Sequence, residues 1–168
     1  MGWYALVASK YRHYGGMYCL FLQHLAVLDN IQEDLNLQFM ENRHCISSLR
    51  NLFLLMYRIT CWVNTLLQVL RAAPALHSLI IRDRKDVADI LEFLFHKHVD
   101  LRKLILKCSW LGEDGTGLLA NIVALYPDLE GLSLDDCYPI TSAGYCLLPR
   151  LKKLSELNLS SCEVDCVC

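Results

Sequence analysis

A six-residue leucine frame recurs along this 168-residue chain and limits its fold more than any other feature. Leucine opens each frame and returns at the fourth position, and the sixth position holds Leu, Val or Ile. The frames begin at Leu22, Leu49, Leu76, Leu101, Leu129 and Leu154. Their spacings are 27, 27, 25, 28 and 25 residues. Because 34 residues are leucine, one frame would mean little, but six in near-constant register indicate a structural repeat.

Between the frames the hydrophobic period changes from two to about 3.6, as expected when a strand is followed by a helix. The predicted buried helix faces are Ile59, Val63, Leu66, Leu67 and Leu70, then Val87, Ile90, Leu91 and Leu94, and then Leu118, Leu119, Ile122 and Val123. Asp86, Thr116 and Thr141 are the expected N-caps. Strand, helix and parallel strand in short succession predict an α/β solenoid with one parallel sheet and helices on its other side.

The pattern is most complete in two stretches, LRKLILKCSWLGEDGTGLLANIVALYPD from Leu101 and LEGLSLDDCYPITSAGYCLLPRLKK from Leu129. In each, the frame is followed by a turn with glycine and a helix that closes near a proline. These residues resemble leucine-rich repeat proteins, and within them the long-repeat class typified by ribonuclease inhibitor. The resemblance covers roughly residues 17–164. It implies a horseshoe segment with the sheet on the concave side and the helices on the convex side.

In this family the ninth position of each repeat holds Asn or Cys, whose side chain bonds to backbone in the turns between repeats. The ninth positions here are Asn30, Tyr57, Arg84, Ser109, Cys137 and Cys162. Three of the six fit the family pattern. Tyr57 and Arg84 therefore predict two units with irregular turns.

The two ends of the chain lead to different expectations. Residues 1–16 are expected to form an N-terminal cap or a remnant helix, and residues 17–168 about six repeats. The sixth frame ends at Leu159, and the chain stops at Cys168 without a helix, so the C-terminal cap is missing. An uncovered edge strand is an aggregation liability. We therefore expect a fragment or isoform of a longer leucine-rich repeat protein, or a subunit whose partner covers this edge, and the bare edge offers a route to self-association.

Charge and hydropathy exclude several classes of protein. A formal net charge of -2 gives no general reason to expect nucleic acid or an anionic membrane as partner. With 54% hydrophobic residues the chain is too apolar to be disordered. Its apolar stretches, 17–28 and 49–70, are interrupted by polar or charged residues, which argues against a membrane span. Without a secretory signal, we expect a cytoplasmic chain, with the nucleus as the alternative.

No catalytic or metal-binding motif accompanies the repeats, and we expect neither an enzyme nor a cofactor. The nine cysteines are expected to be free thiols in a reducing compartment. The best metal-ligand set lacks any CxxC pair, so we predict no metal. That set is Cys162, Cys166, Cys168, His96 and His98.

Strand parity places the third, fifth and seventh residues of each frame on the open side of the sheet. The binding residues predicted there are Leu28, Phe53, Leu55, Ile80, Arg82, Lys103, Ile105, Lys107, Asp135 and Glu156. The face is expected to be apolar at its N-terminal end, basic in the middle and acidic at the far end. An apolar patch with a charged rim is typical of a protein interface, in which charges steer the partner and apolar groups supply the affinity.

The sequence therefore predicts a non-catalytic module that binds an unidentified polypeptide through the concave sheet. Two alternatives from architecture are the substrate-recognition arm of a cullin ubiquitin ligase and the sensing arm of an immune receptor. Neither an F-box-like segment nor a nucleotide-binding loop supports them. A third alternative is that the apolar residues, Phe53 among them, pack against the N-terminal segment or against a domain absent from this chain.

Overall fold

The computed structural model describes residues 24–28, 47–55, 63–84, 87–97, 99–107 and 109–162. The strands in these ranges are β1 His24–Leu28, β2 Asn51–Leu55, β3 Ser78–Arg82, β4 Lys103–Lys107, β5 Gly131–Asp135 and β6 Glu156–Asn158. The helices are α1 Val63–Ala72, α2 Val87–Phe95, α3 Gly115–Leu125 and α4 Ser142–Tyr145, with a 3-10 helix at Leu148–Arg150. The N-terminal cap expected at 1–16 lies outside the described residues.

The strands form one parallel sheet whose spatial order, β1 to β6, follows the chain. Each strand begins two residues after the leucine that opens a frame. Equivalent frame positions are therefore neighbours across the sheet, as Ile80 is opposite Ile105 and Ile105 is opposite Ser133. The predicted α/β class with a parallel sheet is confirmed.

One backbone contact recurs at four junctions between described strands. The carbonyl oxygen of the second frame residue accepts hydrogen bonds from the second and third residues of the next frame. His77 and Ser78 donate to Arg50 at 2.8 and 2.9 Å, and Arg102 and Lys103 donate to His77 at 2.8 and 2.9 Å. The carbonyl of Arg102 accepts from Glu130 and Gly131, and the carbonyl of Glu130 accepts from Ser155 and Glu156. This shared acceptor aligns the start of each strand with the next.

The first, fourth and sixth frame residues supply the sheet side of the core. Those exposed by 2% or less are Leu49, Leu52, Leu54, Leu76, Leu79, Ile81, Leu101, Leu104, Leu106, Leu129, Leu132 and Leu134. The predicted faces of α2 and α3 are buried in the same cluster, and Leu70 of α1 joins them. Ile59 lies outside the described residues, and the structure does not describe the side chains of Val63 and Leu66. The described helices therefore pack on one face of the sheet, and no described element packs on the other, which we call the open face.

The expected N-cap Thr116 is wrong, because α3 begins at Gly115 and Thr116 is already its second residue. The cap is Asp114, whose Oδ1 accepts a hydrogen bond from Gly117 N at 2.7 Å. The Thr116 hydroxyl instead accepts a hydrogen bond from Thr141 N at 2.9 Å, which links α3 to the start of α4. Thr141 is the N-cap of α4 as expected, although its side chain makes no capping hydrogen bond. Asp86 lies outside the described residues.

Two further expectations need correction. Leu157, at a core position of the sixth frame, is 49% exposed, because β6 pairs with β5 alone among the described strands. Cys146 is disulfide-bonded, so the expectation of free thiols throughout is wrong at this residue. Cys137 and Cys162 are free. No helix among the described residues is long and apolar enough to cross a membrane.

Candidate protein-binding face

The open face is the side of the sheet that carries the third, fifth and seventh frame residues. In β3 and β4 these residues are partly buried and alternate with fully buried leucine and isoleucine. The parallel register turns the three frame positions into three rows that cross the strands. The sequence-predicted binding residues therefore share one face of the sheet.

The fifth frame positions form an apolar row across the middle of the face. Phe53 is opposite Ile80, and Ile80 is opposite Ile105, so three large apolar residues lie side by side on β2, β3 and β4. All three are partly exposed. The row then becomes polar at Ser133 and Asn158. The predicted apolar patch is thus brought together at these three residues.

Leu28 and Leu55 occupy the seventh frame positions of β1 and β2. The register places Leu28 opposite Leu55, and Leu55 opposite Arg82. Their backbones therefore lie where the prediction put them. Their side chains are outside what the structure describes.

The charged residues of the open face are paired with one another rather than grouped by sign. Lys107 Nζ lies 2.7 Å from Asp135 Oδ2, and the Asp135 side chain is only 14% exposed. Lys103 forms an ion pair with Glu156, two strands away. The basic middle and acidic end expected from the sequence therefore neutralise each other, because the register places opposite charges in line.

Gly131 makes the longer of these two pairs feasible. It lies between Lys103 and Glu156 in the register of β4, β5 and β6. A Cβ atom at Gly131 would lie 3.2 Å from Lys103 Cγ and 3.5 Å from Glu156 Oε2. The missing side chain leaves a channel in which the lysine crosses β5. The sequence signal for this was a glycine at the third frame position, between Lys and Glu.

Arg82 is the exception to this pairing. It ends β3 and lies opposite Lys107 in the register. Its side chain is partly buried, and its Nε atom is buried without a hydrogen-bond acceptor. Among the described residues, no carboxylate lies within ion-pair distance of its guanidinium.

A shallow depression of about 530 Å³ joins these features on the open face. Its charged lining comes from Arg82, Lys103, Lys107, Asp135 and Glu156, which were all predicted as binding residues. The lining residues that the sequence analysis did not select are Leu132, Ser133, Ser155, Leu157 and Asn158. Most of these lie on β5 and β6.

Two exposed aromatic residues beside the sheet were also missed. Trp110 is 40% exposed and Tyr138 is 57% exposed, and a single parallel bridge joins their backbones. Each is the tenth residue from the leucine that opens its frame. That shared position was the signal that could have found them.

Comparisons with known proteins do not indicate a role for this face. No family model, curated protein or solved structure matches the chain. The chemistry and geometry of the open face are therefore the basis for assigning its role.

The described residues bring no metal-binding group together, since no three His, Cys, Asp or Glu side chains in these ranges cluster closely enough. His96 and Cys162 of the candidate set are described, whereas His98, Cys166 and Cys168 are not. The free thiol of Cys137 is buried, and this burial raises its pKa to about 12. Such a thiol is a poor nucleophile at neutral pH, since little thiolate is present.

Proposed function

We propose that the chain is a non-catalytic leucine-rich repeat module that binds a polypeptide partner through the open face of its sheet. The observation that carries the proposal is the in-register apolar row of Phe53, Ile80 and Ile105, which remains partly exposed on the face opposite the helices. Apolar surface of this kind, bordered by polar and charged groups, is the usual composition of a protein interface.

One backbone feature supports the repeat architecture. Asp83, Asp136 and Ser161, each at the eighth frame position, have left-handed φ angles of 54°, 54° and 57°. Non-glycine residues rarely adopt this conformation, so its return at the same frame position favours a repeated turn. In the proposed solenoid the open face is the concave surface.

The ninth frame position supports the same architecture through its side chains. Ser109 Oγ donates to Lys107 O at 3.0 Å, and Cys162 Sγ donates to Leu134 O at 2.9 Å, in the preceding unit. The family places Asn or Cys here to bond to backbone in the turns, so Cys162 fits the pattern, and Ser109 makes a backbone contact of the same kind without being one of the two residue types. The ninth position of the unit that begins at Leu76 holds Arg84, and this arginine side chain is also buried.

The shape and charge of the face favour a polypeptide over other ligands. The depression is open to solvent rather than enclosed, whereas small-molecule sites bury most of their ligand. Both lysines of the face are paired with carboxylates, which leaves little free positive charge for a nucleic acid. A partner that covers the apolar row gains roughly 25 cal/mol for each Å² of apolar surface removed from water.

Site-specific photo-crosslinking tests this proposal. A benzoylphenylalanine replaces Ile105 on the open face, and a matched chain carries it at Asn121, an exposed position on α3. Both chains are irradiated in the cells that make the protein. We expect a discrete polypeptide adduct at position 105 and none of the same mass at position 121.

A second substitution links the adduct to the apolar row. Ile80→Asp should abolish the adduct at position 105, because a carboxylate in the middle of the row opposes burial under a partner. Circular dichroism would check that the variant keeps its fold. Equal adducts at positions 105 and 121, or none at either, would contradict the proposed function.

A further inference from the structure

We infer that Arg82 is the anchor for a carboxylate of the partner, so that the open face takes an acidic peptide with an aliphatic side chain two residues from the acid. The inference rests on the proposed function and deepens it. The observation behind it is an unpaired guanidinium at the rim of the apolar row, in a face whose two lysines already hold carboxylates.

Arg82 is incompletely satisfied by the residues that the structure describes. Its Nε–H is buried and has no acceptor, so a partner can reach the guanidinium only through its two Nη nitrogens. A guanidinium presents its donors as a planar fork that matches a carboxylate, and such pairs are stronger than neutral hydrogen bonds. A carboxylate delivered by a partner would therefore pair with the Nη groups of Arg82, which no carboxylate among the described residues holds.

The neighbouring cations do not compete for that carboxylate. Lys107 lies next to Arg82 in the register, but its ammonium is 2.7 Å from Asp135. Lys103 is held by Glu156. Among the described residues of the open face, Arg82 is therefore the cation left for an incoming acid, and its position determines where that acid binds.

The apolar part of the ligand follows from strand geometry. Ile80 precedes Arg82 by two residues on β3 and points to the same face. Alternate residues of an extended chain are about 7 Å apart, both in this strand and in an extended peptide laid along it. A peptide with an acid and an aliphatic residue at positions i and i+2 would place the first on Arg82 and the second on Ile80 and Ile105.

The acids within the depression argue against a polyanion. Asp135 and Glu156 line the same depression as Arg82. A nucleic acid brings one phosphate per nucleotide and would place several of them near these carboxylates. A peptide with one acid avoids that repulsion and still satisfies Arg82.

Selection from a displayed library of random dodecapeptides tests the inference on the full chain. The immobilised proteins are the wild type, Arg82→Gln, and Arg150→Gln as a matched loss of an exposed arginine on the helix side. We expect the wild type and Arg150→Gln to enrich Asp or Glu two positions from Leu, Ile or Val. Arg82→Gln should lose the acidic preference.

Calorimetric titration then measures the contact itself. The probes are the most enriched synthetic peptide and its analogue with Glu replaced by Gln or Asp by Asn. On the wild type the amide analogue should bind about tenfold more weakly, or worse, and on Arg82→Gln the two peptides should bind equally. Arg82→Lys keeps the charge without the fork and should bind the acidic peptide with intermediate affinity. It also provides a second variant if Arg82→Gln does not fold.

Each result separates this inference from the proposed function. Enrichment of peptides without an acid, or an acidic preference that survives Arg82→Gln, would overturn the anchor while the binding face stands. Failure of the folded wild type to enrich any peptide would overturn both. In a further outcome, the wild type would bind a 20-nucleotide oligodeoxynucleotide more tightly than the best peptide, and Arg82→Gln would lose that binding. This result would overturn the acidic peptide and show that the ligand of Arg82 is a polyanion.

Discussion

The units that begin at Leu101 and Leu154 share the same leucine frame and differ in what covers it. In β4, Leu104 and Leu106 are completely buried, since β4 lies between β3 and β5 and its core side faces the helices. In β6, Leu157 is 49% exposed, and this strand has one described neighbour. The comparison teaches that a leucine frame determines the direction of a side chain, whereas neighbouring units determine its burial.

The ninth frame positions of the last two units repeat this contrast on a smaller scale. Cys137 is buried, and burial raises the pKa of its thiol to about 12. Cys162, in the outer unit, is only partly buried. Two cysteines at the same frame position therefore differ in their access to solvent.

Truncation of one leucine in each unit gives the largest expected difference. Leu104→Ala should lower the free energy of unfolding by about 3 kcal/mol, because it leaves a cavity in the core. Leu157→Ala should lower it by less than about 1 kcal/mol, since half of that side chain already contacts water. Urea denaturation of the two variants measures both values. Equal losses would mean that the outer strand is as well covered as the inner one.

Thiol labelling should show a smaller difference, of about tenfold or more in rate. With iodoacetamide at pH 8, Cys162 should react faster than Cys137, which is both buried and mostly protonated. As pH rises from 8 to 10, labelling of Cys137 should accelerate about tenfold per pH unit without levelling off, because its pKa is about 12. Peptide mapping by mass spectrometry follows each residue. A Cys137 rate that reaches a plateau near pH 9 would show that burial does not protect this thiol.

The ion pair that connects the two units should have the smallest effect. Glu156 is largely exposed and Lys103 is partly exposed, so a double-mutant cycle with Lys103→Gln and Glu156→Gln should give a coupling of about 0.5 kcal/mol or less. The coupling should vanish in 1 M NaCl, where the Debye length is about 3 Å. A coupling above about 1.5 kcal/mol that resists salt would show that this pair holds the outer strand in place.

Much of the open face could be predicted from the sequence because each strand keeps a two-residue period in its frame. Phe53, Ile80 and Ile105 occupy the fifth position of three frames, and the structure places them side by side. The pairing of Lys103 with Glu156 could not be predicted in the same way, since it joins residues 53 positions apart and depends on the space above Gly131.

The roles of single charged residues were likewise beyond the sequence. Arg82 and Lys107 are both seventh-position cations, and nothing in their frames distinguishes them. The structure gives Lys107 a carboxylate and leaves Arg82 Nε without an acceptor. The difference arises because Lys107 has Asp135 as a neighbour in the register, whereas the register neighbours of Arg82 are Leu55 and Lys107.

By itself, the sequence determined where each strand lies and which of its side chains face the core, because apolar periodicity and backbone pleat are local properties. Only the tertiary structure decided which of those side chains are covered and which charges are neutralised. Both depend on groups that the chain brings together from units 25 or more residues away, and the free energy of burial and of ion pairing exists only once those groups meet.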